Sequence, residues 1–473
     1  VFGIDPKRLT PAMSHPDGVD CVALPTWKVF LIQFLNIAGL GPIFGAIMGV
    51  MFGPAAFLWI VLGTIFAGGV HDFTSAMISL RNDGASLPEI VGTELGRGIK
   101  AVMRVFCIAL LLLVCAVFVV SPAGLIAGMF NADTMPFWTN PVVWIAIIFA
   151  YYVLATMLPI DKLIGKAYPL FGFALLFMAV GILCVLLFGG VNIPDGFADG
   201  LHNRRADADS MPLFPMMFVS IACGAISGFH ATQSPMMARC LKNEKLARPV
   251  FYGAMVAEGV VALIWAAAAI AFTGGYAELS AYMANGGTAG KLVHDISIGW
   301  LGTFGGILAI IGVVAAPITT GDTALRSARL MTADILHFDQ RPILKRLGMS
   351  IPLFLIAAAI TVAASSPAKF EVVWRYFAWL NQTLSVFTLW AVTAYLRRHG
   401  KFYFITLIPA MFMTVVSVSF ILVAPVAQGG LGLLDGAHRG WGIGLGCLVA
   451  IVFASLFYTK IKHNDDRQTN PHR

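Results

Sequence analysis

Charge is what this sequence lacks. Only 12% of its 473 residues are Asp, Glu, Lys or Arg, against 58% hydrophobic, and the mean hydropathy is +0.83. A soluble domain carries roughly 25% charged residues, so the deficit excludes an ordinary soluble fold and indicates an all-α polytopic membrane protein. Cysteine is sparse as well. Cys21, Cys107, Cys115, Cys184, Cys223, Cys240 and Cys447 are scattered without metal-ligand spacing, and most stand in apolar runs as packing residues. There is no nucleophile elbow, phosphate loop or His/Cys metal pattern, so neither an enzyme nor a bound metal or cofactor is expected. The net charge of +7 reads as membrane topology, not as a nucleic-acid face. Residues 1–25 are polar, without the apolar core of a cleavable signal peptide; the chain starts at Val1, and a further helix ahead of it is an open expectation.

The longest charge-free stretch organises the rest. Between Lys28 and His71 there is no Asp, Glu, Lys, Arg or His. About 20 apolar residues cross the hydrocarbon, so this run holds two spans, hinged at Gly53-Pro54. Gly39, Gly41, Pro42 and Gly45 interrupt the first, and broken backbone at that depth is tolerated only where it is buried in protein or lines a cavity. Apolar runs place about twelve spans, at 27–51, 54–80, 101–129, 141–158, 164–189, 212–237, 250–273, 300–333, 348–363, 372–396, 402–424 and 441–460. Ser86-Leu-Pro-Glu89 signals a short helix between the second and third, and 274–298 has room for a lid helix. The sixth span repeats the anomaly of the first, with small residues through Ile221-Ala-Cys-Gly-Ala-Ile-Ser-Gly-Phe-His-Ala231.

The chain therefore divides into a polar segment (1–26), five helices (27–189), an external loop (190–211), five more helices (212–396), two additional helices (397–460) and a cytoplasmic tail (461–473). Five is odd, so the second block enters the membrane from the opposite side. A five-plus-five inverted repeat of the LeuT type, with helices 1 and 6 discontinuous and the site between them, is the predicted fold. With both termini cytoplasmic, 25 of the 31 Lys and Arg lie inside and 6 outside.

Half-helix amino ends attract an anionic group and carbonyl ends a cation. Ala38, Gly39, Gly41 and Pro42, with Gly224, Ser227, Gly228 and His230, form the predicted substrate cradle; the competing reading is that these small residues only let helices pack closely. Asp72 lies about 13 Å of helix rise from Arg81 and must be paired, protonated or hydrated, since a charge within a span costs on the order of 2.5–3.5 kcal/mol. It is the leading candidate for coupling a proton, unless it only pairs with a helix-8 arginine. His71 and His230 titrate near neutrality unless they are packing residues. Thr319, Thr320, Asp322 and Thr323 on helix 8 are candidates to surround a cation, with Asp322 also a proton carrier or a local partner of Arg326 at i, i+4. Lys166 adds a positive charge to this region or snorkels to the interface.

These motifs resemble those of the carbon starvation protein A (CstA) transporters. The likeness rests on Gly39-Leu-Gly-Pro42, Ala67-Gly-Gly-Val-His-Asp-Phe73, Ser79-Leu-Arg81, Gly84-Ala-Ser-Leu87, Ala222-Cys-Gly-Ala-Ile-Ser-Gly-Phe-His230 and Gly321-Asp-Thr323, together with the leader Thr10-Pro-Ala12 and Asp17-Gly-Val-Asp20. It covers most of the chain. Cys21 departs from the tyrosine often found there, and the loop between helices 7 and 8 is shorter than in long members. The resemblance implies a bacterial inner-membrane importer of the amino acid–polyamine–cation superfamily, associated with uptake of peptides or pyruvate and driven by protons. A membrane nutrient sensor that binds without transport, or a sodium-coupled amino-acid carrier, are the alternatives. The expected partners are the lipid bilayer, a small carboxylate or peptide, and a coupling proton or sodium ion.

Overall fold

Helix 1 of the sequence is two helices, α1 (Thr26–Ile37) and α2 (Leu40–Val50), meeting at a bend of 46°. The Ala38 amide donates back to Phe34 and the Gly39 amide reaches only Ile37, so the ladder ends there. Pro42 falls in the first turn of α2, where a missing N–H leaves no helical bond unmade. The computed structural model describes residues 2–18, 20–130, 134–157, 164–338, 342–434 and 436–469; the side chains of several residues at helix starts and ends, Lys166 among them, fall outside the described set.

The second span, α3 (Ala55–Arg81), is continuous but loosens into one π turn at Thr64–Gly68, just before His71 and Asp72. Such a turn inserts an extra residue and re-aims the side chains beyond it. Next come α4 (Leu87–Leu95), the short helix signalled by Ser86, then α5 (Arg97–Ala127), α6 (Pro141–Met157) and α7 (Ile164–Phe188). The sixth segment is in pieces: α8 (Leu213–Ser220), a single turn at Ala222–Ala225, and α9 (His230–Ala238). Beyond it run α10 (Glu244–Thr273), α11 (Tyr276–Ala284), α12 (Ala289–Leu336), α13 (Ile343–Ala363), α14 (Pro367–Arg398), α15 (Phe404–Val423) and α16 (Arg439–Thr469). The sequence predicts a start for helix 8 near residue 300. It begins at Ala289 instead, because Gly302, at φ 68°, joins a preceding helical piece to the span across a kink.

Among the described residues, eight helices are long and apolar enough to cross a membrane, and the bent α1–α2 pair makes a ninth. The protein is thus an all-helical, multi-span membrane protein. Three of the twelve predicted spans do not meet that measure. α6 has 17 residues, the 213–238 segment is broken, and α14 keeps Lys369 and Arg375 in its first half.

The two ends of the bundle differ in chemistry. At one, the leading residues are pinned by charge: Arg81 pairs with buried Glu244 and also donates to the carbonyls of Phe2 (3.1 Å) and Gly3 (3.0 Å). Deeper at that end, buried Asp20 meets Arg326 at 3.2 Å and Arg329 at 3.4 Å. Burial alone would push the Asp20 carboxyl up; the guanidiniums of Arg326, Arg329 and Arg239 outweigh it and hold the carboxyl below the usual carboxylate range. The opposite end, formed by the turns after α2, α5, α7, α10 and α15, opens into a cavity.

Candidate substrate and coupling site

Residues 226–229 separate the two parts of the broken sixth segment, and their backbone needs partners that a helix would have supplied. Asn381 of α14 supplies them. Its carbonyl accepts from the Gly228 amide (3.1 Å), and its Oδ1 accepts from the Phe229 amide (2.7 Å) and the Ser227 hydroxyl (3.0 Å). Gln382 donates to the Ile226 carbonyl (3.3 Å), and Thr64, in the π turn of α3, donates to the Gly224 carbonyl (2.9 Å). A Cβ at Gly228 would lie 2.2 Å from the Asn381 carbonyl oxygen, so only glycine lets the two backbones come this close. From sequence these amides were open to substrate; two of them are instead bound by Asn381. That residue was missed, although Asn381-Gln382 is a polar pair within an otherwise apolar run and was a readable signal.

The first break lies directly against the second. A Cβ at Gly41 would sit 2.4 Å from Cβ and Sγ of Cys223, and one at Gly45 would sit 2.8 Å from the Ser220 carbonyl oxygen. From the other side, the Thr320 hydroxyl on α12 lies 3.1 Å from the Asn36 carbonyl at the end of α1. Above this contact opens a cavity of about 1030 Å³, with Gly41, Gly45, Ala222 and Cys223 among its lining and Arg205, Lys291 and Arg375 bringing positive charge to it. Of the eight predicted cradle residues, Gly41 alone lines this cavity. Ala38, Gly39, Pro42, Gly224, Ser227, Gly228 and His230 are buried in the layer beneath.

That layer holds a chain of ionisable groups. Asp72 Oδ1 accepts from His71 Nδ1 at 2.8 Å, and Oδ2 accepts from His230 Nδ1 at 2.9 Å. The far side of the His230 ring, Nε2, lies 3.5 Å from Oε2 of Glu258 on α10. All four side chains are fully buried. The arginine partner considered for Asp72 is not the one it has, since two histidines occupy its carboxylate. Glu258 was missed, although a lone carboxylate inside the apolar run 250–273 is the same signal that singled out Asp72.

The remaining candidates lie on α12. The Thr319 hydroxyl donates to the Ala316 carbonyl (2.8 Å), and the Thr323 hydroxyl stays within reach of the carbonyls of Thr319 (3.2 Å) and Thr320 (2.9 Å), so each is engaged with its own helix. The Thr320 hydroxyl lies 2.8 Å from the Ala316 carbonyl of its own helix and is also within reach of α1. Asp322 is fully buried on the same helix. The side chain of Lys166 lies outside the described residues. Among those residues no group of three or more His, Cys, Asp or Glu is arranged to hold a metal ion.

Comparison with known proteins agrees with this architecture. Residues 1–135, 123–298 and 283–420 match the family described as carbon starvation protein CstA. An uncharacterized membrane protein of Haemophilus influenzae is 45% identical over 315 residues, 58% of this chain and 85% of that one. A Campylobacter jejuni protein named peptide transporter CstA is 27% identical over 544 aligned residues, 88% of this chain and 76% of its own. The Escherichia coli pyruvate/proton symporter BtsT is 29% identical over 319 residues, 56% of this chain and 44% of its own. Among solved structures, MhsT in complex with L-phenylalanine superposes with a TM-score of 0.58 at 14% identity, covering 92% of this chain and 98% of that one. The fold is therefore LeuT-like.

Proposed function

The chain belongs to the carbon starvation protein CstA family of membrane transporters, and on that premise we propose that it imports a small carboxylate, pyruvate foremost, or short peptides across the bacterial inner membrane, driven by protons. The carrying observation is the apposition of two interrupted helices, Gly41 against Cys223, at the floor of a cavity whose charged lining is Arg205, paired with Asp207, together with Lys291, Arg375 and one carboxylate, Asp295. A carboxylate entering that cavity is drawn to these cations and reaches the floor at Gly41, where the amino end of α2 adds positive partial charge. In this reading the chain crosses the membrane twelve times as a five-plus-five inverted repeat with two further helices. The end holding Asp20, Arg81 and Glu244 faces the cytoplasm, as do both termini, and the cavity opens to the outside. Asp72, bound by His71 and His230, lies one layer below the breaks and serves the coupling; Asp322 and Thr320 link α12 to the same region.

In proteoliposomes, an inward proton gradient should drive labelled pyruvate or a labelled dipeptide above its equilibrium level. Uptake indifferent to proton and sodium gradients alike would remove the coupling claim, and a sodium requirement would favour the amino-acid carrier. Counterflow separates carrier from receptor, because a receptor binds solute without exchanging it across the bilayer.

A further inference from the structure

Glu258 is a buried carboxylate with no task yet in the transport cycle. It lies fourteen residues beyond Glu244 on α10, roughly 21 Å of helix rise from that end and so near the membrane midplane. Both carboxyl oxygens are buried and, among the described residues, neither has a hydrogen-bond partner; the polar atom facing them is His230 Nε2, itself without one among those residues. The titratable groups around it are His230 on α9, His71 and Asp72 on α3, and the Cys223 thiol. α1, α2, α7, α11 and α12 also pack against α10; α1 and α2 bring no acidic or histidine side chain, while α11 carries Glu278 and α12 carries His294, Asp295, Asp322 and Asp334.

Taken as ionised, Asp72 sets the tautomers of both rings. Ionised Asp72 can only accept, so the Nδ1 atoms of His71 and His230 both carry hydrogens. A neutral His230 then presents a bare Nε2 lone pair toward Glu258. An ionised Glu258 would face that lone pair with a second acceptor, in a fully buried site, and the two would repel. A protonated Glu258 resolves the conflict by donating to Nε2, which needs only a few tenths of an ångström of approach.

We propose that Glu258 holds the coupling proton, donating it to Nε2 of His230 while Asp72 fixes that ring's tautomer. The inference rests on the transport reading for its role, though not for its chemistry. Loading forms one O–H bond on Glu258 with a proton from water on one side. Release breaks that bond and returns the proton to water on the other side, with no oxidant or reductant involved. His230 begins α9 immediately after the break at 226–229, so the presence or absence of this hydrogen bond acts directly on the hinge beside the cavity floor.

The test has two arms on the full-length protein. Infrared spectra of the purified protein at neutral pH should contain a carboxylic-acid C=O stretch that shifts in heavy water and is missing from Glu258→Gln. Identical wild-type and variant spectra overturn the proton assignment, whatever transport shows. In proteoliposomes Glu258→Gln, a near-isosteric mimic of the protonated acid, should keep counterflow but lose accumulation, its ratio falling to unity. Accumulation equal to wild type overturns the coupling role. A wild-type protein that moves neither pyruvate nor dipeptides sinks the transport reading, and the spectra alone then judge Glu258. If Glu258→Gln does not fold, Glu258→Asp should keep the stretch but accumulate less; loss of neither, or of the stretch alone, contradicts the proposal.

Discussion

Asp72 accepts two histidine hydrogen bonds in a fully buried place. Replacing it with Asn keeps the shape but offers one acceptor oxygen where two are used, so one histidine loses its partner. A buried donor left unsatisfied costs about 1–3 kcal/mol, which a membrane protein of this packing tolerates with a lowered melting temperature. Asp72→Asn should therefore remain folded, exchange labelled substrate and fail to accumulate it against a gradient. Full accumulation by that variant would move the coupling site elsewhere. At this scale much of the site was legible, because an ionisable residue inside an apolar run is conspicuous in any sequence. What the sequence hid was the pairing. That Asp72 meets His230 rather than an arginine depends on how α3 and α9 come together, and nothing local to either helix encodes it.

The broken sixth segment shows the same limit one level up. Its small residues announced an interruption, as did the glycines and proline between α1 and α2. The group that satisfies the opened backbone comes from Asn381, more than a hundred and fifty residues away along the chain. Removing its side chain with Asn381→Leu leaves the Phe229 amide and the Ser227 hydroxyl without their acceptor. The expected loss is about 1–3 kcal/mol for each group left buried and unpaired, read as a lower melting temperature of the purified protein and weaker substrate binding in the same thermal-shift assay. An unchanged melting temperature would show that water takes over the role of Asn381. Thr320, which the sequence offers for a cation, lies 3.1 Å from the Asn36 carbonyl at the end of α1 and 2.8 Å from the Ala316 carbonyl of its own helix.

Among the described residues, one end of the molecule is tied together by buried charge pairs and the other opens into a cavity. Asp20, ahead of the first span, ties the leading segment to Arg326 and Arg329 on α12. Its carboxyl is held below its ordinary value of about 3.9, so the tie contributes its full stability above that value and loses it as pH falls through the lower folded-state value. Asp20→Asn should destabilise by up to roughly 3–5 kcal/mol, because two buried guanidiniums each lose one carboxylate partner. It should also flatten the acid limb of the melting-temperature profile below about pH 4. A variant whose acid limb matches wild type would place that sensitivity on another carboxylate. The sequence marked Asp17-Gly-Val-Asp20 as part of a family leader but held no hint of this grip, since a partner three hundred residues distant leaves no local trace.

One contact carries a practical consequence. Where Gly41 touches Cys223, two backbones meet at the cavity wall with a sulfhydryl set between them. Buried against that glycine the thiol is a poor nucleophile, so a membrane-impermeant alkylating reagent should spare Cys223 in the resting protein and reach it only if substrate turnover parts the contact. In a Cys184→Ser, Cys447→Ser background, labelling of Cys223 without added substrate would show that the contact already stands open.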